Sequence, residues 1–234
     1  SLIAESDIVI TILPTDHEVE SLLLDESTTD AFRPDTILLE MTSGSPDMIK
    51  KLHEVYKEKG IHVLDAPVSG GTVGAENGTL TVMAGGEQKW LDEVKGVMDA
   101  IAANVYHVGA VGAGNAIKAI NQVLAGIHMI ASAEAISLAK ELHVDLAILK
   151  EVIGNSSGAS WMLLNKMESI ANEDFVPGFK LKLMKKDVQI AVDEGKLSVL
   201  PLASLALQLY KSAQRDYGEL DFAAISKSIV RYQA

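Results

Sequence analysis

Lys118, Asn121 and Gln122 stand three and four positions apart in Gly112-Ala113-Gly114-Asn115-Ala116-Ile117-Lys118-Ala119-Ile120-Asn121-Gln122, so on a helix they share a face. A lysine set among Ala and Ile on a buried helix loses solvation, which lowers its pKa and suits it to moving a proton. The alternative is a lysine that snorkels to water, the usual fate of a helical lysine. A second stretch, Asp65-Ala66-Pro67-Val68-Ser69-Gly70-Gly71-Thr72-Val73-Gly74-Ala75, follows an apolar run and so falls at the carboxyl end of a sheet, where open α/β folds take ligands. Ser69 offers a hydroxyl, and Gly70 and Gly71 offer backbone N–H groups with no side chain in the way. That is a cradle for a carboxylate, or else a flexible glycine-rich connection. It is not a P-loop, because no Gly-Lys-Ser/Thr follows.

A third group, Lys180-Leu181-Lys182-Leu183-Met184-Lys185-Lys186-Asp187, places four lysines within seven residues. It is either a solvated helix face or a source of attraction for an anionic substrate or cofactor. Gly112-x-Gly114 imitates a dinucleotide fingerprint, but the third glycine position holds Ile117 and a very long helix follows in place of a βαβ unit. The six histidines show no paired metal-ligand spacing, and no nucleophile elbow occurs. With no cysteine in the chain, disulfides, thiolate nucleophiles and cysteine metal sites are excluded. No metal site is expected.

The elements that must hold these residues change character along the 234-residue chain. In residues 1–110, short apolar β-branched runs at 7–13, 36–40, 61–64 and 80–84 alternate with helical patterns at 19–24, 46–59 and 88–102. This alternation predicts a doubly wound, mostly parallel α/β sheet. From Gly112 on the pattern is helical only. A helix over 115–142 carries no proline and apolar residues on more than one face, so it is buried all round or meets another subunit. Shorter helices follow at 145–153, 160–171, 181–195, 201–216 and 222–231. The expected domains are therefore 1–110 and 111–234, the second all-α with one long helix.

Charge divides the same way. The net charge of −12 lies wholly in residues 1–110, with 7 basic and 19 acidic side chains, whereas residues 111–234 carry 13 of each. Such a field argues against a nucleic-acid partner. No uninterrupted apolar run reaches the roughly 20 residues of a membrane span, and a cytoplasmic protein without a membrane partner is expected.

In this order the motifs resemble those of the β-hydroxyacid dehydrogenase family, which includes 3-hydroxyisobutyrate dehydrogenase and tartronate semialdehyde reductase. The resemblance covers nearly the whole chain: Asp7-Ile8-Val9-Ile10-Thr11-Ile12-Leu13-Pro14, Glu40-Met41-Thr42-Ser43, Asp65 to Gly71, Gly112 to Gln122, and Phe179 to Asp187. It implies a Rossmann-type dinucleotide-binding portion before the helical domain, NAD or NADP as cofactor, and reversible oxidation of a small anionic 3-hydroxy acid. It further implies Lys118 as general acid/base, with Ser69, Gly70 and Gly71 on the substrate carboxylate and Asn121 or Gln122 orienting the substrate. Leu13, Pro14 and Ser43 line the nicotinamide side, and Lys186 lies at cofactor and substrate. Many members carry Asn where this chain has Gln122. A homodimer or homotetramer is expected from the likeness and from the apolar long helix. Family members open with a strand, a Gly-x-Gly-x-x-Gly turn and a further βαβ portion of roughly 60 residues that this sequence lacks. The expectation is thus a shortened chain impaired in cofactor binding. A rival reading is a non-catalytic oligomerisation or binding module that keeps the fold without the cofactor.

Overall fold

A computed structural model describes residues 2–231. They form two compact units, Ser1–Ile120 and Asn121–Ala234. The sequence pattern changes near Gly112, but the division between the units falls later, inside the long helix.

The first unit is built on strands β1 (Ile8–Thr11), β2 (Ile37–Glu40), β3 (His62–Asp65), β4 (Val68–Ser69), β5 (Leu80–Gly85) and β6 (Ala102–Gly109). β1, β2 and β3 run parallel and in register. β5 runs antiparallel to β3 and β4, and β6 parallel to β5. The sheet is therefore mixed and mostly parallel. Helices α1 (Asp16–Leu23), α2 (Glu26–Thr29), α3 (Pro46–Lys57), α4 (Gly71–Glu76), α5 (Gln88–Glu93) and α6 (Lys95–Ile101) connect the strands. Side chains alternate across a strand, and the two faces use that alternation. Leu38 and Val63 pack with Val19, Ile49, Leu52 and Tyr56 of α1 and α3, whereas Ile37, Leu39 and Leu64 pack with Leu91, Val94 and Met98 on the side of α5 and α6. Covering both faces is the doubly wound arrangement expected from the sequence. Three local expectations differ. The single helix over 88–102 is two helices meeting at Val94, residues 102–109 form a strand, and the glycine-rich stretch turns into helix α4.

The second unit contains most of α7 (Ala113–Glu141), followed by α8 (Leu146–Gly154), α9 (Trp161–Ala171), α10 (Leu181–Glu194), α11 (Pro201–Tyr217) and a 3-10 helix over Phe222–Ser228 where the pattern predicts an α-helix. Its core joins Met129, Ala133 and Ile136 of α7 to Met167, Met184, Val188 and Tyr210. Asp221, 1% exposed, ties this unit together. Its carboxylate takes Lys166 Nζ at 2.9 and 3.0 Å and the N–H groups of Gly178, Phe179 and Ala223.

α7 is not buried all round. Met129, Ala133 and Ile136 are buried, while Ile120, Leu124 and Leu138 are 58%, 52% and 55% exposed. By length and composition the helix is apolar enough to cross a membrane, with mean hydropathy 1.3 over its most apolar window, yet half of that window is buried inside the protein. A core helix passes the same measure.

Candidate active site

The register of the parallel strands brings Thr11, Glu40 and Asp65 side by side at the last positions of β1, β2 and β3. All three are buried. Beyond them each strand releases a loop that carries residues singled out in the sequence: Leu13 and Pro14 after β1, Ser43 after β2, and Ser69 to Gly71 after β3. The first two loops are tied together. The Leu13 N–H donates to Thr42 Oγ1 at 2.8 Å, and the Thr42 N–H donates to Glu40 Oε1 at 3.0 Å. The Thr42 side chain also favours the charged form of the Glu40 carboxyl. A second tie runs from the Ser45 N–H to both oxygens of Asp16, in the first turn of α1, at 3.1 Å each.

Burial pushes the Glu40 carboxyl up to about 7. Thr42 favours the charged form but is outweighed, and the negative charges of Asp16 and Asp65 add to the rise. Burial also raises Asp65, against opposition from backbone N–H groups. Those donors explain why an acid is there. Gly112 and Asn115, at the head of α7, donate their N–H groups to Asp65 Oδ1 and Oδ2 at 2.8 and 2.9 Å. Asp65 thus caps α7 from about fifty positions upstream in sequence, where a negative charge also meets the positive end of the helix dipole.

This cap sets where Lys118 sits. Gly114 lies so close to the sheet that a Cβ would stand 2.3 Å from the Met83 carbonyl oxygen and 2.8 Å from that of Asp65. Only glycine lets the helix start there, and Gly112, at φ +93°, is required by its backbone conformation and its closeness to Lys50 and Pro46 of α3. Lys118 follows one turn later and is 7% exposed. It does not snorkel to water.

Ser69 ends β4 opposite Thr81. Gly70 has φ +136°, and a Cβ would meet Leu80 Cδ2 at 3.0 Å. The chain then enters α4 directly, so this stretch is a turn into a short helix.

In the second unit, Gln122 is 4% exposed and its amide is fully engaged. Its Nε2 donates to Asp187 Oδ2 at 2.7 Å, and its Oε1 accepts from Asn121 Nδ2 at 2.9 Å. Lys186 Nζ lies 3.1 Å from Asp187 Oδ1. Asn121, Gln122, Asp187 and Lys186 therefore form one polar chain. The other lysines of that cluster behave differently. Lys180 and Lys182 both pair with Glu219, at 2.9 and 2.6 Å on the surface, and hold its carboxyl down at about 2.

Glu40, Thr42, Asp65, Asn115 and Asp187 stand inside the sequence motifs, but the motifs alone give them no role. The signal for Glu40 was an acid closing the otherwise apolar run Thr36-Ile37-Leu38-Leu39-Glu40. Among the described residues, no group of His, Asp and Glu is arranged to hold a metal ion.

Residues 112–229 match the family model described as the NAD-binding domain of NADP-dependent 3-hydroxyisobutyrate dehydrogenase, and residues 1–109 match the NAD-binding domain of 6-phosphogluconate dehydrogenase. The chain belongs to the β-hydroxyacid dehydrogenase family. It is 38% identical to 2-(hydroxymethyl)glutarate dehydrogenase of Eubacterium barkeri, over 96% of this chain and 76% of that one. To the NAD-dependent L-serine dehydrogenase of Pseudomonas aeruginosa it is 37% identical, over 95% and 78%. The structure of 3-hydroxyisobutyrate dehydrogenase from Mycobacterium tuberculosis with L-serine superposes with TM-score 0.89 at 34% identity, over 97% of this chain and 80% of that one.

β-Hydroxyacid dehydrogenases use NAD or NADP, and the strand ends of this chain fit the nicotinamide end of such a cofactor. Two buried polar atoms there, Thr11 Oγ1 and Asn115 Oδ1, have no partner among the described residues. Buried polar atoms are ordinarily satisfied, so these two are available to a polar ligand group.

Proposed function

We propose that this β-hydroxyacid dehydrogenase interconverts a small 3-hydroxy acid and its semialdehyde, with Lys118 as the general acid/base. The carrying observation is the placement of Lys118: buried, on a helix whose head is pinned by Asp65 to the carboxyl end of the sheet. In oxidation the substrate hydroxyl gives its proton to the neutral Lys118 amine as the C–H bond beside it breaks and C=O forms. In reduction the same Nζ returns the proton to the oxygen. NAD or NADP, when bound, supplies the hydride acceptor or donor. The Ser69 hydroxyl and the N–H groups of Gly70 and Gly71 hold the substrate carboxylate, while Leu13, Pro14 and Ser43 flank the nicotinamide. Asn121 or Gln122 orients the substrate; Gln122 is the one held by Asp187 as well as by its neighbour. Lys186 adds positive charge for the anionic ligands.

The relatives' names support this substrate class. 2-(Hydroxymethyl)glutarate, L-serine and 3-hydroxyisobutyrate all carry a hydroxymethyl group on the carbon next to a carboxylate. The same likeness supports a soluble metabolic enzyme, and the cysteine-free sequence is compatible with a reducing cytoplasm. The exposed apolar face of α7 supports a homodimer or homotetramer.

The test is a panel of these three acids with NAD and NADP. Saturable turnover of at least one is expected, and Lys118→Ala should lower kcat by about 10²- to 10⁴-fold while NADH binding persists. An unchanged kcat would reject the role of Lys118. A protein that binds neither NADH nor NADPH would favour the non-catalytic module.

A further inference from the structure

Glu40 has no part in the chemistry above, yet it is a buried carboxylate bonded to the residue that holds the nicotinamide-side loops together. Thr42 is that residue. Its N–H donates to Glu40 Oε1 at 3.0 Å, and its Oγ1 accepts the Leu13 N–H from the neighbouring loop at 2.8 Å. Glu40 thus fixes the Thr42 backbone, and the Thr42 backbone fixes where Oγ1 meets Leu13. We propose that Glu40 is a positioning residue, and that its charge state, relayed through Thr42, sets how firmly the Leu13–Pro14 loop is held for the cofactor. The part about the cofactor rests on the functional reading above; the relay itself does not.

The surroundings of Glu40 make it a responsive device. On β1 its register neighbour is the uncharged Thr11, on β3 it is Asp65, and the carboxylate of α1 that acts on it is Asp16. The charged groups acting on Glu40 across these elements are acids, which add to the effect of burial, and it protonates near neutrality. Once protonated, the carboxyl accepts the Thr42 N–H as a neutral bond, roughly half as strong as a charge-assisted one. It also gains a proton of its own that competes for the same acceptors. The Leu13 contact then loosens as pH falls.

The relay is read in the cofactor-free protein by the amide ¹H–¹⁵N shifts of Leu13 and residue 42 between about pH 5.5 and 8.5. Both should titrate together with a midpoint of about 7. Both should be flat in Glu40→Gln, and both should titrate again in Glu40→Asp, which restores an ionisable carboxyl. Thr42→Val keeps the residue-42 N–H but removes the hydroxyl, so the residue-42 amide should still titrate and Leu13 should not. A Leu13 amide that is flat in the wild-type protein, or that titrates unchanged in Glu40→Gln, overturns the relay. The cofactor effect is read separately by NADH fluorescence titration. The wild-type Kd should rise roughly fivefold from pH 8 to pH 6 relative to Glu40→Gln, the size expected for weakening one charge-assisted bond. Parallel pH profiles in the two proteins overturn the link to the cofactor. Failure of the wild-type protein to bind NADH at any pH overturns the functional reading, while the amide titration still decides the relay.

Discussion

A carboxylate that closes a buried strand must be satisfied by what surrounds it, and the two acids here are satisfied in different ways. Asp65 faces the amides at the head of α7, a fixed array that justifies its burial structurally. Glu40 has one residue, Thr42, and two neighbouring acids, and its burial outweighs what Thr42 supplies. The consequence for stability has a definite sign. The unfolded chain releases the Glu40 proton near the ordinary glutamate value of 4.5, whereas the folded protein keeps it up to about 7. Between these values the folded state binds more protons, so the contribution of Glu40 is full below 4.5 and is lost as pH rises through 7. The shift corresponds to about 3 kcal/mol. Urea unfolding of wild type and Glu40→Gln at about pH 4.5, 6 and 8 should therefore show the variant gaining on wild type by that order as pH rises. A difference independent of pH would refute the buried titration. At this scale the sequence gave up the residues with distinctive chemistry, Lys118 and the Ser69-Gly70-Gly71 turn. It hid Glu40 because one acid at the end of an apolar run looks the same whether it ends in water or under a helix.

Elements were legible where burial imposes a pattern and obscure where it does not. β2, all four residues buried, reads directly from Ile37-Leu38-Leu39-Glu40. β6 was merged in part with the preceding helix because it pairs only with β5 and is largely exposed, Tyr106 at 56%, so no apolar run marks it. The start of α7 was placed within two residues, yet its cause lay outside local sequence, in Asp65 and in the closeness of Gly114 to β5. That cause is testable by comparing two helical glycines. A Cβ on Gly114 would press into the Met83 and Asp65 carbonyl oxygens, whereas a Cβ on Gly96 in α6 meets nothing within 4 Å. Gly114→Ala should cost about 2 kcal/mol or more through overpacking, and it should lower kcat as well, since displacing the head of α7 displaces Lys118. Gly96→Ala should gain roughly 0.5–1 kcal/mol from helix propensity and leave kcat alone. Thermal unfolding and steady-state rates on both variants decide this. Equal effects would mean that the Gly114 contact does not fix the helix.

For the molecule as a whole, the unresolved demand is the second apolar face of α7. The sequence showed that the helix is apolar on more than one side but could not say which side its own chain covers, because that depends on where α9, α10 and α11 dock. With Met129 and Ile136 inside, Ile120, Leu124 and Leu138 remain outside. A groove of about 530 Å³, lined by Ala131, Ala135, Leu138, Leu142, Leu149 and Ile153, continues that surface onto α8, where Ile148 and Val152 are also exposed. Exposed apolar surface that runs continuously over two helices marks an interaction site, and apolar area gains about 25 cal/mol per Å² when it leaves water. A second copy is the partner that fits a face centred on a helix whose other side is the core. Leu124→Glu combined with Leu138→Glu would place four charges in a dimer interface without touching Lys118 or the core. Light scattering after gel filtration should give a dimer or tetramer mass for wild type and a monomer for the double variant. Leu197→Glu, at a fully exposed site in the connection between α10 and α11, should leave the assembly intact. A monomeric wild-type protein, or an unchanged mass in the double variant, would mean that the α7 face serves something other than self-association.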